Sequence, residues 1–268
     1  MYKKLKKIIE FTSFLYYFLL ILRHNIVCRK RLLIPLYKNK VIDNRYEHDE
    51  NVIIYMVQPE TTFSGGLSDR LRGITSIYGE CKRKNLPFKI VFEPLHLQDY
   101  LVPNQYDWQI EAKNICWDLK KVYPCTLLTY NNNLENSAQI NAQKKILQYY
   151  LNKSYKQIHI YSNMAIADND FSVLFNELFR PSERLQNQID YHLNKLGGEK
   201  KYISLTFRFR QLLGDFKEGG YILPESEREA YILKCIKGVV ELHLRYPTER
   251  ILVTSDSKMF LDRLCHLE

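Results

Sequence analysis

Two charged side chains stand at the ends of two short apolar segments near the end of the chain, and their chemistry suits a phosphate-bearing ligand. Arg208 follows Tyr202–Phe207, and Asp256 follows the segment that begins at Arg250. A guanidinium group offers paired N–H donors that neutralise a diphosphate without a metal ion, and a carboxylate accepts hydrogen bonds from hydroxyl groups. Arg208 is therefore our first candidate catalytic residue, and Asp256 is a candidate substrate-binding residue.

Three further polar residues stand beside this pair. Arg210 is the alternative to Arg208, because a shift of one residue along a strand exchanges the side chains that face a ligand. Ser255 and Ser257 flank Asp256, and their hydroxyl groups are placed to reach phosphate oxygens. For Ser257 the alternative of capping the next helix stays open, since serine is a preferred N-cap residue.

A glycine pair marks a second candidate site in the first half of the chain. Gly65 and Gly66 permit close approach of a ligand to the backbone, and the helix expected after them begins with a positive dipole end that suits a phosphate or an acceptor hydroxyl. Asp69 and Arg70 lie in the first turn of that helix. From the residues alone, ordinary surface ion pairs remain the alternative for both.

The elements around the glycine pair form a recognisable unit. Val52–Val57 is a short apolar run rich in β-branched residues, which predicts a buried parallel strand. A glycine-containing loop, a helix that ends near Asn85 and a second strand at Phe88–Phe92 follow. Open α/β sheets bind ligands at the carboxyl ends of their strands, which is where the glycine pair stands.

The second half repeats this order. A strand at Tyr202–Phe207, a helix from Ser226 to about Arg245 and a strand from Arg250 to Thr254 predict a parallel strand pair with a crossover helix. The carboxyl ends of both strands then meet at one edge of the sheet. Residues almost fifty positions apart can therefore line one crevice, as a bound nucleotide diphosphate requires.

The segments between these units divide the chain. A strand at 156–161 and a short helix at 171–179 stand out in a middle region with little periodicity, and a helix that starts after Ser182 and ends at Gly197 and Gly198 separates the halves. We expect an N-terminal segment at 1–45, a Rossmann-like domain at 46–180 and a nucleotide-binding domain at 181–268.

The N-terminal segment indicates a membrane surface as a partner. Residues 11–22 are uncharged and mostly apolar, lysines precede them, and Arg29, Lys30 and Arg31 follow. This run is shorter than the roughly 20 residues of a spanning helix, so we expect residues 1–35 to form an interfacial helix on anionic headgroups at the cytoplasmic face, peripheral or monotopic. A signal peptide and a helix docked on the protein's own core are the alternatives.

Charge and cysteine usage exclude other classes. The net charge of +9 calls for an anionic partner, but much of the excess lies in the N-terminal segment, which favours a membrane over a nucleic acid. The six cysteines lack the spacing of a zinc site. The sequence Asp168-Asn169-Asp170 follows no clear strand and predicts a turn. We expect no metal and no cofactor.

Three stretches together resemble the GDP-fucose-dependent fucosyltransferases of the α-1,2, α-1,6 and protein O-fucosyl groups. They are SGGLSDRLRGI at 64–74, TFRFRQLLGD at 206–215 and VTSDS at 253–257. The second is similar to a lengthened H-x-R-x-G-D motif, with Thr206 in place of the histidine and residues 209–213 widening the gap. The chain stops at Glu268, so we expect the second domain to be incomplete.

The resemblance implies an α/β fold of the GT-B type, in which two Rossmann-like halves face a cleft. It implies that Arg208 holds the β-phosphate of GDP-fucose, that Ser255 and Asp256 contact its nucleoside and fucose, and that Asp215 belongs to the same site. By the same resemblance the first motif contributes a candidate catalytic residue, Asp69, and the substrate-binding residues Gly65, Gly66 and Arg70.

The predicted function is therefore transfer of a sugar, fucose from GDP-fucose, to a glycan acceptor by a metal-independent inverting displacement. The base that deprotonates the acceptor stays open among Asp69, Glu93 and Asp215. The alternatives are a GT-B enzyme that uses another sugar nucleotide and a non-enzymatic, membrane-associated envelope protein. A nucleic-acid partner is not expected.

Overall fold

The computed structural model describes residues 2–38, 51–58, 66–127, 137–163, 170–198, 202–215 and 220–266. Two compact units, Met1–Leu185 and Gln186–Glu268, make up the chain. The candidate residue Gly65 and the first two residues of the turn predicted at 168–170 lie outside the described residues. The expected domain boundaries and the cleft between two halves stay predictions.

The first unit contains most of the elements. In chain order these are α1 (Tyr2–Val27), α2 (Arg29–Lys38), β1 (Val52–Val57), α3 (Leu67–Arg83), β2 (Phe88–Phe92), β3 (Leu101–Pro103), β4 (Val122–Leu127), α4 (Ser137–Leu151), β5 (Gln157–Ser162), α5 (Phe171–Leu178) and β6 (Phe179–Pro181). Helix α6 (Glu183–Lys195) then leads into the second unit, which holds β7 (Tyr202–Phe207), α7 (Glu225–Arg245), β8 (Arg250–Ser255) and α8 (Lys258–Cys265).

The main sheet of the first unit is parallel and has the strand order β2-β1-β5-β4. Side chains of β1 alternate between two cores: Ile53 and Tyr55 pack with α3 and α4, whereas Ile54 and Met56 pack on the opposite face with Leu32 of α2. A parallel sheet buried on both faces explains why β1 is an unbroken apolar run. The predicted parallel pairing of β1 with β2 is confirmed.

Helix α1 covers the open edge of this sheet. Strand β4 pairs with β5 on one side, and on the other side the backbone N–H of Thr126 donates to Asn25 Oδ1 at 2.6 Å, while Asn25 Nδ2 donates to the carbonyl of Thr126 at 3.0 Å. At Thr126 the Asn25 amide thus supplies the donor and the acceptor that a fifth strand would have supplied. Ile21, one turn earlier, is fully buried in the core.

The N-terminal helices therefore pack against the core of the first unit. This arrangement is one of the alternatives that the sequence left open. Among the described residues, no single helix is long and apolar enough to cross a membrane, although Phe11–Val27 and Arg29–Lys38, bent by 42°, reach that length and composition as a pair. The expected interfacial position of residues 1–35 is not tested by this docking, because the other face of α1 stays exposed.

The second unit is built on one parallel strand pair. Strands β7 and β8 pair from Tyr202 opposite Arg250 to Phe207 opposite Ser255, with α7 as the crossover. Its core is small and consists of Phe209, Leu213, Ile232, Ile236 and Phe260. The predicted strand–helix–strand order of this half is confirmed, with bounds that differ by one residue at the start of α7 and the end of β8.

We expect Asn25→Ala to lower the free energy of unfolding by about 1–3 kcal/mol, because both backbone groups of Thr126 lose their partner. Urea denaturation followed by circular dichroism measures this change. Asn152→Ala is the matched control, since the Asn152 side chain accepts a bond from Lys84 at the surface. Equal urea midpoints for the two variants would contradict the role of Asn25 at the sheet edge.

A buried histidine on β5 makes the stability of the first unit depend on pH. His159 is fully buried, its Nε2 lies 3.0 Å from Gln157 Oε1, and burial lowers its pKa from 6.5 to about 3. Below about pH 6.5 this histidine is protonated in the unfolded chain but stays neutral in the folded chain. The free energy of unfolding therefore falls as the pH falls.

We expect His159→Gln to flatten this acid dependence by up to about 1.4 kcal/mol per pH unit between roughly pH 6 and pH 4. Unfolding free energies of wild type and variant, measured across that range, give the difference directly. The exposed His243, substituted by Gln, serves as the control and should leave the slope of the wild type unchanged. Parallel pH curves for His159→Gln and wild type would refute the assignment.

Candidate functional site

The pairing of β7 with β8 brings the two principal candidates to one edge. Phe207 lies opposite Ser255, so Arg208 and Asp256 are the next residues of two neighbouring strands at the same end of the sheet. The hydroxyl oxygens of Thr206 and Thr254, one pair earlier, are 3.1 Å apart. The predicted convergence of these strand ends is confirmed by the register.

Asp256 organises the loop that follows β7. One carboxylate oxygen accepts the N–H of Phe209 at 2.8 Å, and the other accepts the N–H of Arg210 at 2.9 Å. Arg210 has a φ of 52°, which lies in the left-handed region. This conformation is unfavourable for any residue other than glycine, so other contacts must stabilise it. The two hydrogen bonds from consecutive amides supply that support.

This loop places two guanidinium groups in solvent. Phe209 is only 3% exposed and packs with Phe260, whereas Arg208 and Arg210 on either side of it are exposed. Neither arginine side chain forms a hydrogen bond or an ion pair with any residue that the structure describes. Two cations flanking a buried anchor are available to an anionic ligand, which fits the diphosphate chemistry expected of Arg208 and of its alternative Arg210.

Ser257 and Asp215 fasten the same loop to helix α8. The hydroxyl of Ser257 is buried, donates to Asp215 Oδ2 at 2.8 Å and accepts the N–H of Phe260 at 3.1 Å, so it is the N-cap of the helix. The N–H of Met259 also donates to Asp215, at 2.9 Å, and Ser255 Oγ accepts the N–H of Ser257 at 3.0 Å. Capping, which the sequence left open for Ser257, is the role that the geometry displays.

The residues predicted to contact substrate at these strand ends therefore also hold the protein's own backbone. Asp215, Asp256 and Ser257 each hold backbone N–H groups, and direct contact of their side chains with a ligand stays a prediction. Sequence reasoning did not anticipate that Asp256 binds backbone amides, because those partners are created by the loop conformation. The positive φ of Arg210 likewise has no signal in the residue type.

The second candidate site lies at the carboxyl end of the main sheet. Gly66 is the N-cap residue of α3 and has no side-chain cap bond, and Asp69 and Arg70 are half-buried in the first turn. The guanidinium carbon of Arg70 lies 5.5 Å from the centre of the Phe92 ring at the end of β2. The helix start and the strand ends are thus adjacent, as the sequence predicted.

Gly73 is a residue of this site that sequence reasoning missed. A Cβ at this position would lie 2.7 Å from the Tyr55 hydroxyl and 3.0 Å from the carbonyl oxygen of Ser162. The Tyr55 hydroxyl donates to that same carbonyl, and burial raises its pKa. Helix α3 can approach the ends of β1 and β5 only because this residue lacks a side chain.

A cavity of about 660 Å³ opens elsewhere, at the amino end of the main sheet. Its lining includes Asn51 and Pro87, which precede β1 and β2, and Glu177, whose carboxylate accepts bonds from Tyr78 and Lys82. Ligands of open parallel sheets bind at the opposite end, so this cavity is not the candidate site. Across the described ranges, no three His, Cys, Asp or Glu side chains are grouped so as to hold a metal ion.

No protein-family model and no curated protein sequence matches the chain. Solved structures do. A crystal structure of the α-1,6-fucosyltransferase NodZ soaked with GDP-fucose matches with a TM-score of 0.49 and 10% identity, over 82% of this chain and 76% of that one. Another NodZ structure, from Bradyrhizobium, gives a TM-score of 0.49 and 11% identity, over the same shares of the two chains.

Two further solved structures match as well. POFUT1 in complex with GDP has a TM-score of 0.45 and 11% identity, over 81% of this chain and 82% of that one. A mutant of FUT1 of Arabidopsis thaliana in complex with GDP has a TM-score of 0.47 and 12% identity, over 94% of this chain and 64% of that one. The structures that this chain resembles are fucosyltransferases. With TM-scores below 0.5, the likeness assigns no activity, and the chemistry must come from the site residues.

We expect Asp256→Asn to loosen the loop after β7, because an amide can accept from only one of the two N–H groups without turning its own N–H toward the other. The free energy of unfolding should fall by about 1.5–3 kcal/mol, and hydrogen exchange at the amides of Phe209 and Arg210 should become faster. Asp262→Asn, an exposed change on α8, is the control. Unchanged exchange at these amides would rule out the bonds.

Proposed function

We propose that this chain is a glycosyltransferase that binds a sugar nucleotide, GDP-fucose, and transfers the sugar to a glycan acceptor. One observation carries the proposal: Asp256 fixes a loop at the carboxyl edge of a parallel strand pair so that two solvent-facing guanidinium groups flank a buried phenylalanine. This edge is where α/β folds bind nucleotides, and fixed cations are what a departing diphosphate requires.

The reaction places the main electrostatic demand on Arg208. The oxygen of the acceptor hydroxyl forms a bond to the anomeric carbon of the sugar, while the bond from that carbon to the β-phosphate oxygen breaks. The leaving diphosphate takes the electron pair, and its growing negative charge is bound by Arg208, with Arg210 as the second cation. Because the loop is held before the ligand arrives, little reorganisation is needed during the reaction.

The proton of the acceptor hydroxyl needs a carboxylate, and we propose Asp69, with Glu93, exposed directly after β2, as the alternative. Asp215 accepts two hydrogen bonds that cap α8, which lowers its availability as a base. Asp69 sits half-buried in the first turn of α3 and makes no hydrogen bond to the described part of the chain. Gly66 and Arg70 beside it supply a helix N-terminus and a cation for an acceptor or donor oxygen.

The proposal includes direct inversion without a metal ion, since the arginines supply the positive charge. A transferase that uses another sugar nucleotide remains the nearest alternative, because the phosphate contacts are common to all nucleotide sugars while the base and sugar contacts differ. A non-enzymatic envelope protein is the alternative from another class, and it predicts that GDP leaves the melting temperature unchanged.

We expect Arg208→Ala to lower the rate of GDP release from GDP-fucose by about 100-fold or more, because the leaving diphosphate loses its main charge partner. Arg250→Ala is the matched control, since Arg250 is an exposed arginine at the amino end of β8, the strand that carries Asp256 at its other end. That variant should retain wild-type turnover.

Two results would overturn parts of the proposal. Full activity of Arg208→Ala would remove the mechanism, and faster release from UDP-, ADP- or dTDP-sugars than from GDP-fucose would remove the donor. Thermal shift with GDP runs alongside: an intact fold whose melting temperature does not respond to GDP would favour the non-enzymatic alternative.

A further inference from the structure

Helix α1 is apolar on two sides. One side, with Phe14, Tyr17, Ile21 and Asn25, contacts the core of the first unit and the edge of β4. The opposite side, which we call the outer face, consists of Phe11, Leu15, Tyr16, Leu19, Ile26 and Val27, whose exposures range from 41% to 74%. Exposed apolar side chains collected on one helix side mark an interaction surface.

Cations continue this surface into α2. Arg23 lies on α1 beside the outer face, and Arg29, Lys30 and Arg31 follow at the bend, all of them exposed. Lys30, Ile34 and Tyr37 are exposed at a spacing of one helical turn, whereas Leu32, Pro35 and Leu36 are buried. A cationic and apolar face with a tyrosine near its end is the composition of helices that lie in a membrane interface.

We infer that the outer face of α1, with the adjoining exposed side of α2, binds the surface of an anionic lipid bilayer. The apolar side chains enter the boundary between headgroups and acyl chains, and Arg23, Arg29, Lys30 and Arg31 meet lipid phosphates. This surface gives a physical basis to the membrane partner expected from the sequence, and peripheral or monotopic attachment at a cytoplasmic face is part of the proposal.

Charge favours a bilayer over a second copy of the chain. A second copy of the chain carries the same net charge of +9 and cannot neutralise Arg23, Arg29, Lys30 and Arg31, whereas an anionic headgroup layer does. The docked side of the helix also fixes the direction of insertion, because Asn25 and Ile21 are held by the protein itself. The inference does not depend on the proposed transferase activity.

Co-sedimentation of the full chain with vesicles tests the inference. We expect binding to phosphatidylcholine vesicles that contain phosphatidylglycerol and weaker binding to pure phosphatidylcholine. The pair Leu15→Gln and Leu19→Gln should weaken binding by roughly 100-fold, because two exposed leucines no longer transfer from water. The pair Arg23→Gln and Lys30→Gln should weaken binding to the anionic vesicles by about 30-fold.

The control is a pair of exposed apolar residues elsewhere in the same unit, Leu119→Gln and Val173→Gln, which should leave vesicle binding unchanged. Thermal melting identifies any variant that fails to fold. Should the leucine pair unfold, Leu19→Trp replaces it, and quenching of its fluorescence by brominated lipid, compared with Val173→Trp, reports insertion at the outer face.

The outcomes separate the bilayer from its rivals. Wild-type binding by the leucine pair, or no greater quenching for Leu19→Trp than for Val173→Trp, would overturn the inference. So would a concentration-dependent dimer, seen by light scattering, that the leucine pair abolishes while vesicles bind neither protein. Equal binding to neutral and anionic vesicles would overturn the part assigned to the cations. GDP release by the leucine pair at the wild-type rate keeps this result separate from the transferase proposal.

Discussion

The two hydrogen bonds that Asp256 accepts from consecutive backbone amides fix the geometry of the candidate donor site. Parallel strands end in loops whose N–H groups have no ladder partner, and a carboxylate from the neighbouring strand is a strong acceptor for them. The bonds turn Phe209 into the core and leave the arginines on either side outside it. Both carboxylate oxygens of Asp256 accept backbone N–H groups. Within the described residues, Asp256 therefore forms no ion pair with the guanidinium group of Arg208 or Arg210.

The same solution, a side chain in place of a missing backbone partner, recurs in the first unit. Asn25 completes the hydrogen bonds of β4 at Thr126, and Asp215 with Ser257 completes those at the start of α8. Polar residues of the kinds that bind ligands, such as Asp215 and Ser257, thus hold the protein's own backbone. The side chains of Arg208 and Arg210 differ from them, because they form no hydrogen bond or ion pair within the described residues.

The sequence predicted the parts of the fold where local pattern and tertiary environment agree. β1, β7 and β8 are apolar runs beside clear helices, and their pairing followed from the handedness of crossover connections. The sequence did not predict β4, because Pro124 interrupts its apolar run. A proline is tolerated in a strand only at a sheet edge, and no local pattern shows that β4 lies there.

In the site, the convergence of Arg208 with Asp256 was predictable from register, whereas the partners of Asp256 and the requirement for Gly73 depend on loop conformation and helix packing.

The Asn25 contact gives the N-terminal segment a second importance that its composition conceals. An apolar, basic leader is commonly regarded as a detachable address that can be removed to obtain a better-behaved protein. Here its removal would take away the Asn25 side chain. The backbone N–H and C=O of Thr126, in the edge strand of the parallel sheet, would then lose their hydrogen-bond partners. Such an edge is a template for pairing with another chain. Removing residues 1–25 would therefore expose the edge of β4 to pairing with a strand of another chain.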